Sequence, residues 1–211
     1  KFNLDKPHVE NLPIGLFGNF YSHELSFFLI NSNYFKNINN IFSKCNLRIK
    51  KIISKSFVDG VKIIDHHVDT ETFFIIKIEK NNSQIIFFEN SSLKFIQNFK
   101  FGSSLVFNDI SKITGLKIDI IKKILSNTNL LQENLKNEYL GKEYFEDQKF
   151  KKINKQLILD VANARIKEYA EIMIFKNFNL RSFLDKKKQI FLKIDDNLSV
   201  TFFLKNYVEF F

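Results

Sequence analysis

Residues 75–88 read IIKIEKNNSQIIFF: an apolar run, a short polar break, and a second apolar run. Two short runs of β-branched and aromatic residues around such a break predict a β-hairpin. Working outward, strands are expected over residues 72–78 and 84–89, with another near 93–99. A turn at FGSS then leads into a helix, LVFNDISKI, which Gly115 closes, and IDIIKKIL forms a further helix. Before the hairpin, SKSFVDGVKII reads as a helix with Phe57, Val61 and Ile64 on one side. It follows a short strand, LRIKKII, and a helix, NSNYFKNINNIFSKC, capped by Asn31 or Asn33. A glycine-punctuated loop earlier still leads into a strand near residues 24–30.

Towards the other end, residues 130–152 are polar with weak periodicity. Residues 153–176 predict the longest helix, with Ile153, Leu157, Val161, Ala164 and Ala170 near one face, joined by Ile158, Ile172 and Met173. KQIFLKI is a strand, and SVTFFLKNYVEFF is a strand or a helix. Strand pairs followed by helices place the chain in the mixed α/β class. No internal repeat or low-complexity tract is present, which excludes repeat and disordered classes.

The chain has 211 residues, enough for one large domain or two small ones. Its net charge of +9 points towards nucleic acid, but Arg supplies only Arg48, Arg165 and Arg181 among 32 basic residues. Base readout and phosphate forks favour Arg. The surplus of Lys, Asn, Ile and Phe matches the coding bias of an AT-rich genome, so a Lys-rich nucleic-acid binder is the least favoured reading. Cys45 is the single cysteine, which excludes an internal disulfide and a cysteine metal cluster, and a cytosolic compartment is the expectation. No apolar run approaches the roughly 18–20 residues that span a bilayer.

Several clusters invite a chemical reading. DHHVDTE, residues 65–71, gathers two His and two Asp, yet adjacent His side chains point apart in an extended loop, so a solvated turn is expected and no metal site. His23 beside Glu24 lacks the third group of a triad. Asp195 and Asp196 could be paired carboxylates, although Asp-Asp-Asn is also ordinary turn chemistry. Lys186–Lys188 reads as a solvated loop. No catalytic residue is assigned.

Read in order, the segments resemble the bacterial cell-division protein FtsA, a member of the actin-like ATPase superfamily. PIGLFGNFYSHELSFFLI and NINNIFSKCNLRI are similar to the second half of the small domain inserted in that family's first lobe, with Asn46 where a glycine is expected. In KFGSSLVFNDIS, Gly102, Val106, Asp109 and Ile110 match a family segment, and LILDVANARIKEYAEIM resembles the long helix before the last core strand, including Arg165. The resemblance implies an actin-like (ribonuclease H-like) lobe over residues 51–211, preceded over residues 1–50 by the remainder of the inserted α/β domain. The family's first phosphate loop and its membrane-binding amphipathic helix are expected to lie outside this chain, which would be a fragment or a reduced protein.

In most relatives the position of KIEKNNSQ carries Asp-Ile-Gly-Gly-Gly-Thr-Thr-Asp. Glycines let backbone amides approach phosphate, threonine hydroxyls donate to it, and the aspartate helps hold hydrated Mg²⁺. Here Lys77 reverses the Mg-linked charge, Glu79, Lys80 and Asn81 replace glycines, and Asn82 and Ser83 replace threonines. The adenosine loop likewise becomes Lys193, Ile194, Asp195 and Asp196. The degenerate nucleotide-loop positions are therefore Lys77, Asn81, Asn82, Ser83 and Gly102, and the expectation is a pseudo-ATPase without ATP or Mg²⁺. By resemblance, it would link the FtsZ ring to the cytoplasmic face of the inner membrane at the division site and self-associate into actin-like filaments. It would reach the membrane indirectly, through a segment absent from this chain. A subdomain near residues 100–180 would bind the FtsZ C-terminal peptide, with Arg165 and Lys167 as candidate contacts. The alternatives are an active ATP-binding member of the superfamily and a pilus-assembly scaffold on the same fold.

Overall fold

A computed structural model describes residues 2–5, 8–9, 14–23, 25, 27–127, 137–145, 149–183 and 189–211. The hairpin forms as the pattern predicts. Strand β4 (Phe73–Ile78) pairs antiparallel with β5 (Ser83–Glu89), from Phe73 opposite Phe88 to Ile78 opposite Ser83. β5 pairs in turn with β6 (Ser92–Phe99). The connection between them uses Asn90 and Ser91 at φ +46° and +60°, as a two-residue hairpin turn matched to strand twist requires. The last strand, β7 (Gln189–Ile194), lies parallel to β4 and completes a four-stranded sheet ordered β6-β5-β4-β7.

Both faces of this sheet are covered, which explains runs that are apolar throughout rather than alternating. On one face Phe74, Ile76, Ile78, Ile85 and Phe87 join a core built with α3 (Ser104–Thr114), α4 (Ile118–Asn127), α5 (Lys155–Ala170) and α6 (Asn197–Phe210). On the other, Phe73, Ile75, Ile86 and Phe88 meet Phe57, Ile63 and Ile64 of α2 (Lys55–His66). Gly60 makes that approach possible, since a Cβ there would sit 1.9 Å from the Phe88 ring.

The amino-terminal portion holds a separate small sheet, β2-β1-β3, from β1 (Phe2–Leu4), β2 (His8–Val9) and β3 (Tyr21–His23), and then α1 (Ser32–Lys44). Asn31 caps α1 by accepting from Asn33 N at 2.9 Å. Asn46, at φ +57°, closes it where the resemblance expects glycine, and Leu47 N donates back to Phe42 O.

Four expectations are corrected. Residues 27–30 carry no strand, and residues 47–53 pair with no strand among the described residues. Both segments have strand propensity without a neighbouring strand to bond among the described residues, and propensity alone does not make a sheet. In α2, Val61 is exposed, and Ile63 takes the inward place expected for it. In α5 the buried stripe runs through Ile158, Val161, Ala162, Ile166 and Tyr169, while Leu157 and Ala164, with Ile172 just beyond the helix, face outward. Two adjacent apolar stripes satisfy the helical period there, and packing against α3 selects one. The long helix itself forms, passing without a break into a π turn at Glu171–Phe175. The segment left open as strand or helix is helical, with Phe203 and Tyr207 buried one turn apart.

Candidate functional site

Parallel pairing brings the carboxyl ends of β4 and β7 side by side, with Ile78 opposite Ile194. Ligands in open α/β sheets collect at such ends. Three connections converge here: the β4–β5 turn at residues 79–82, the loop entering α3, and Asp195 and Asp196 between β7 and α6. Asp195 N donates to Ile78 O at 2.9 Å, tying the third connection to the sheet.

The turn closes on itself through Glu79 N donating to Asn82 O at 2.8 Å. The start of α3 then packs onto it: Ser103 N donates to Glu79 O, and Ser104 N to Lys80 O, both at 2.9 Å. Side chains reinforce the junction. Ser104 Oγ donates to Asn81 Oδ1 at 3.1 Å, Ser83 Oγ to the Phe101 carbonyl at 2.8 Å, and Ser103 Oγ to Asp196 Oδ2 at 2.7 Å. Gly102 sits at the closest approach, where a Cβ would lie 2.1 Å from Glu79 O. Its own carbonyl accepts from the Tyr169 hydroxyl at 2.7 Å, and the Tyr169 ring stacks on Phe101. Burial, aided by the neighbouring Tyr207, pushes the Tyr169 hydroxyl above its ordinary pKa, so it remains a neutral donor.

Beside this junction lies a cavity of about 470 Å³. Phe107 and Ile118 line it together with the polar groups of Ser104 and Asn108, the cations of Lys80 and Lys122, and the carboxylates of Asp195 and Asp196. The sequence-expected positions divide around it. Asn81, Ser83 and Gly102 belong to the junction of turn and helix. Asn82 lines a small pocket of about 80 Å³ with Lys77, Glu79 and Gln84.

Lys77 does not line the larger cavity. The period of β4 turns it to the α2 side, where the residue is 4% exposed and its ammonium forms an ion pair with Asp59. Lys193 approaches the same carboxylate at 3.8 Å. Burial would raise the Asp59 pKa, but the Lys77 hydrogen bond and charge, with Lys193 and Lys55, outweigh it and hold the carboxyl below its ordinary value. Asp59 was invisible as a partner in the sequence; its signal is a lone lysine inside an otherwise apolar strand, which demands a nearby anion.

Arg165 and Lys167 are not brought together. Arg165 lies between α3 and α5, bonded to Asp109 and Glu168. The Asp109 hydrogen bond raises its pKa further. A groove of about 470 Å³ runs past it, lined by Lys112, Ile113, Asp160 and Ala164. Lys167 lines a different groove with Glu171, Phe175 and Phe210. His66 ends α2, His67 packs its ring 5.2 Å from Phe191, and no metal-binding group of three His, Cys, Asp or Glu occurs among the described residues. Glu24 and Lys186–Lys188 lie outside the described residues. No helix among them is long and apolar enough to cross a membrane.

No protein-family model matches the sequence, and no curated protein matches it. Solved structures do. The ethanolamine utilization protein EutJ from Carboxydothermus hydrogenoformans superposes with a TM-score of 0.50 at 10% identity, over 82% of this chain and 52% of that one. MreB 5 of Spiroplasma citri bound to AMPPNP gives 0.46 at 14% identity, over 70% and 48%. An archaeal actin homolog gives 0.44 at 12%, over 75% and 46%. The chain thus spans about half the length of the structures it resembles. At these identities the likeness is one of fold alone, a mixed α/β architecture shared with the EutJ structure.

Proposed function

We propose that this chain is an actin-like scaffold, resembling FtsA, that works by binding other proteins and does not hydrolyse ATP. It would join the FtsZ ring to the cytoplasmic face of the membrane and self-associate through actin-like contacts. One observation carries the nucleotide part: the groups that would hold phosphate are engaged with one another. The amides of Ser103, the residue before α3, and of Ser104, its first residue, donate to the Glu79 and Lys80 carbonyls, and the hydroxyls of Ser103 and Ser104 donate to Asp196 and Asn81. Gly102 leaves no gap beneath the turn. Asp195 and Asp196 add negative charge beside the cavity, and the Lys77 ammonium is paired with Asp59. This donor set does not fit a Mg-triphosphate, which needs free N–H and O–H groups towards phosphate and a carboxylate towards the metal.

A second reading, an active nucleotide binder, draws on Lys80 and Lys122 at the cavity rim. Calorimetry separates the two. Titration with ATP and Mg²⁺ is expected to give no heat below millimolar ligand, and micromolar binding would overturn the scaffold reading. For the partner, a pulldown with an FtsZ tail peptide is expected to retain the protein above a scrambled control. Arg165→Gln should weaken that capture about tenfold, the scale of a lost charge-assisted hydrogen bond. Equal retention of the scrambled peptide sinks the FtsZ assignment.

A further inference from the structure

The helix α1 buries none of its residues. Its apolar side chains nevertheless gather on one face: Tyr34, Phe35, Ile38, Ile41 and Phe42 follow helical spacing, while Lys36, Asn40 and Ser43 lie opposite. Tyr34 is 68% exposed and Ile41 63%. The chain on either side continues the apolar surface, with Phe27 79% and Leu29 98% exposed before α1, and Leu47, Ile52 and Ile53 exposed after it. An uncovered surface of this extent calls for an occupant.

Charge selects the occupant. From Leu25 to Val58 the sequence holds no Asp or Glu, while Lys36, Lys44, Arg48, Lys50, Lys51 and Lys55 are all basic. All six are exposed, Lys36 and Lys44 on the polar side of α1 and the other four in the chain that follows it. A second copy of the chain would set these cations against one another with no acidic residue in the segment to offset them. An anionic lipid surface meets both features: the acyl boundary takes the Phe and Ile face, and the headgroups take the Lys and Arg side chains. At 13 residues α1 is about 20 Å long, suited to lying in the interface and too short to span it.

We infer that α1 and the basic segment following it form a peripheral binding surface for anionic lipid. The inference stands apart from the nucleotide and FtsZ readings: vesicle binding without tail-peptide capture would refute the FtsZ assignment and leave this one standing, and the reverse result would do the opposite.

Co-sedimentation of the full chain with vesicles tests it. Binding to vesicles of phosphatidylglycerol and phosphatidylcholine at 3:7 is expected to exceed binding to pure phosphatidylcholine at least tenfold at low salt, and to fall as salt rises. Neutralising Arg48, Lys50 and Lys51 to Gln together should weaken it about a hundredfold. Because nothing on α1 is buried, Ile41→Glu with Phe35→Ser should abolish binding while circular dichroism and the urea midpoint stay unchanged. A solvent-sensitive dye on Cys45, which is exposed at the end of α1, should shift to the blue on vesicles and not in the Ile41→Glu, Phe35→Ser protein. Equal binding to both vesicle types, or full binding by that double variant, overturns the proposal. So does a concentration-dependent dimer abolished by the same variant without any vesicle binding, which would assign the face to a second copy.

Discussion

Lys77→Ala should lower folding stability by about 3 kcal/mol, because it removes the buried cation paired with Asp59 and leaves that carboxylate only the more distant Lys193, 3.8 Å away and half-exposed. The Lys77 side chain is 5% exposed and that of Asp59 16%, so water does little to screen the pair. The double replacement Lys77→Met with Asp59→Leu should recover most of the loss, since well-packed apolar groups substitute for a buried pair at little cost. Urea denaturation of the three proteins measures this; a loss below about 1 kcal/mol for the single variant would show the pair to be solvated and weak, the scale of exposed ion pairs. The pH dependence follows from the depressed Asp59 pKa. A carboxyl with a lower pKa folded than unfolded contributes stability above its unfolded value, near pH 4, and loses it as pH falls through the folded value. The natural protein should therefore lose more stability below about pH 4 than Asp59→Asn does. Installing a carboxylate there, Lys77→Asp, should be worse than alanine and should not create a nucleotide site, because this position faces α2 and Asp59 rather than the cavity.

Gly102→Ala should cost about 3 kcal/mol, at the upper range for overpacking. The added Cβ would meet backbone, 2.1 Å from Glu79 O and 2.7 Å from the Lys80 carbonyl, and neither can rotate away. To relieve the clash, the α3 start must withdraw from the turn and give up the bonds from Ser103 N and Ser104 N. Hydrogen exchange should show those two amides losing protection, with the sheet amides less affected. Gly141→Ala is the control: its Cβ would meet only the carboxylate end of the Glu143 side chain, which can swing aside, so little change is expected. A Gly102→Ala protein within about 0.5 kcal/mol of the natural one, the range of a neutral surface change, would mean that turn and helix are not in close contact.

The hairpin was legible because both its signals are local. Runs such as FFIIKI and SQIIFFE have strand propensity throughout, and the polar residues between them are too few for anything but a turn. The helices around Val106 and Ile121 were legible for the same reason, as was the left-handed glycine at Gly115, with φ +70°. Residues 27–30 and 47–53 carry the same residue types but have no partner strand among the described residues, and a partner strand is a condition that no local pattern contains. The candidate site was legible only as a set of altered positions. That Ser83, Gly102 and Asn81 would meet the start of α3 depends on bonds spanning about twenty residues, and the Tyr169 contact to Gly102 spans 67.

By itself, then, the sequence determined the order and type of most elements, the mixed α/β class and a β4–β5 turn that contains no glycine, since periodicity, propensity and backbone freedom are properties of neighbouring residues. Only the tertiary structure decided that Lys77 pairs with Asp59 away from the cavity, that α3 docks its first amides onto the turn, that α5 buries the Ile158–Ile166 stripe, and that α1 buries nothing. Each of those outcomes is set by which distant surfaces meet, and burial and pairing energies belong to that meeting rather than to either segment alone.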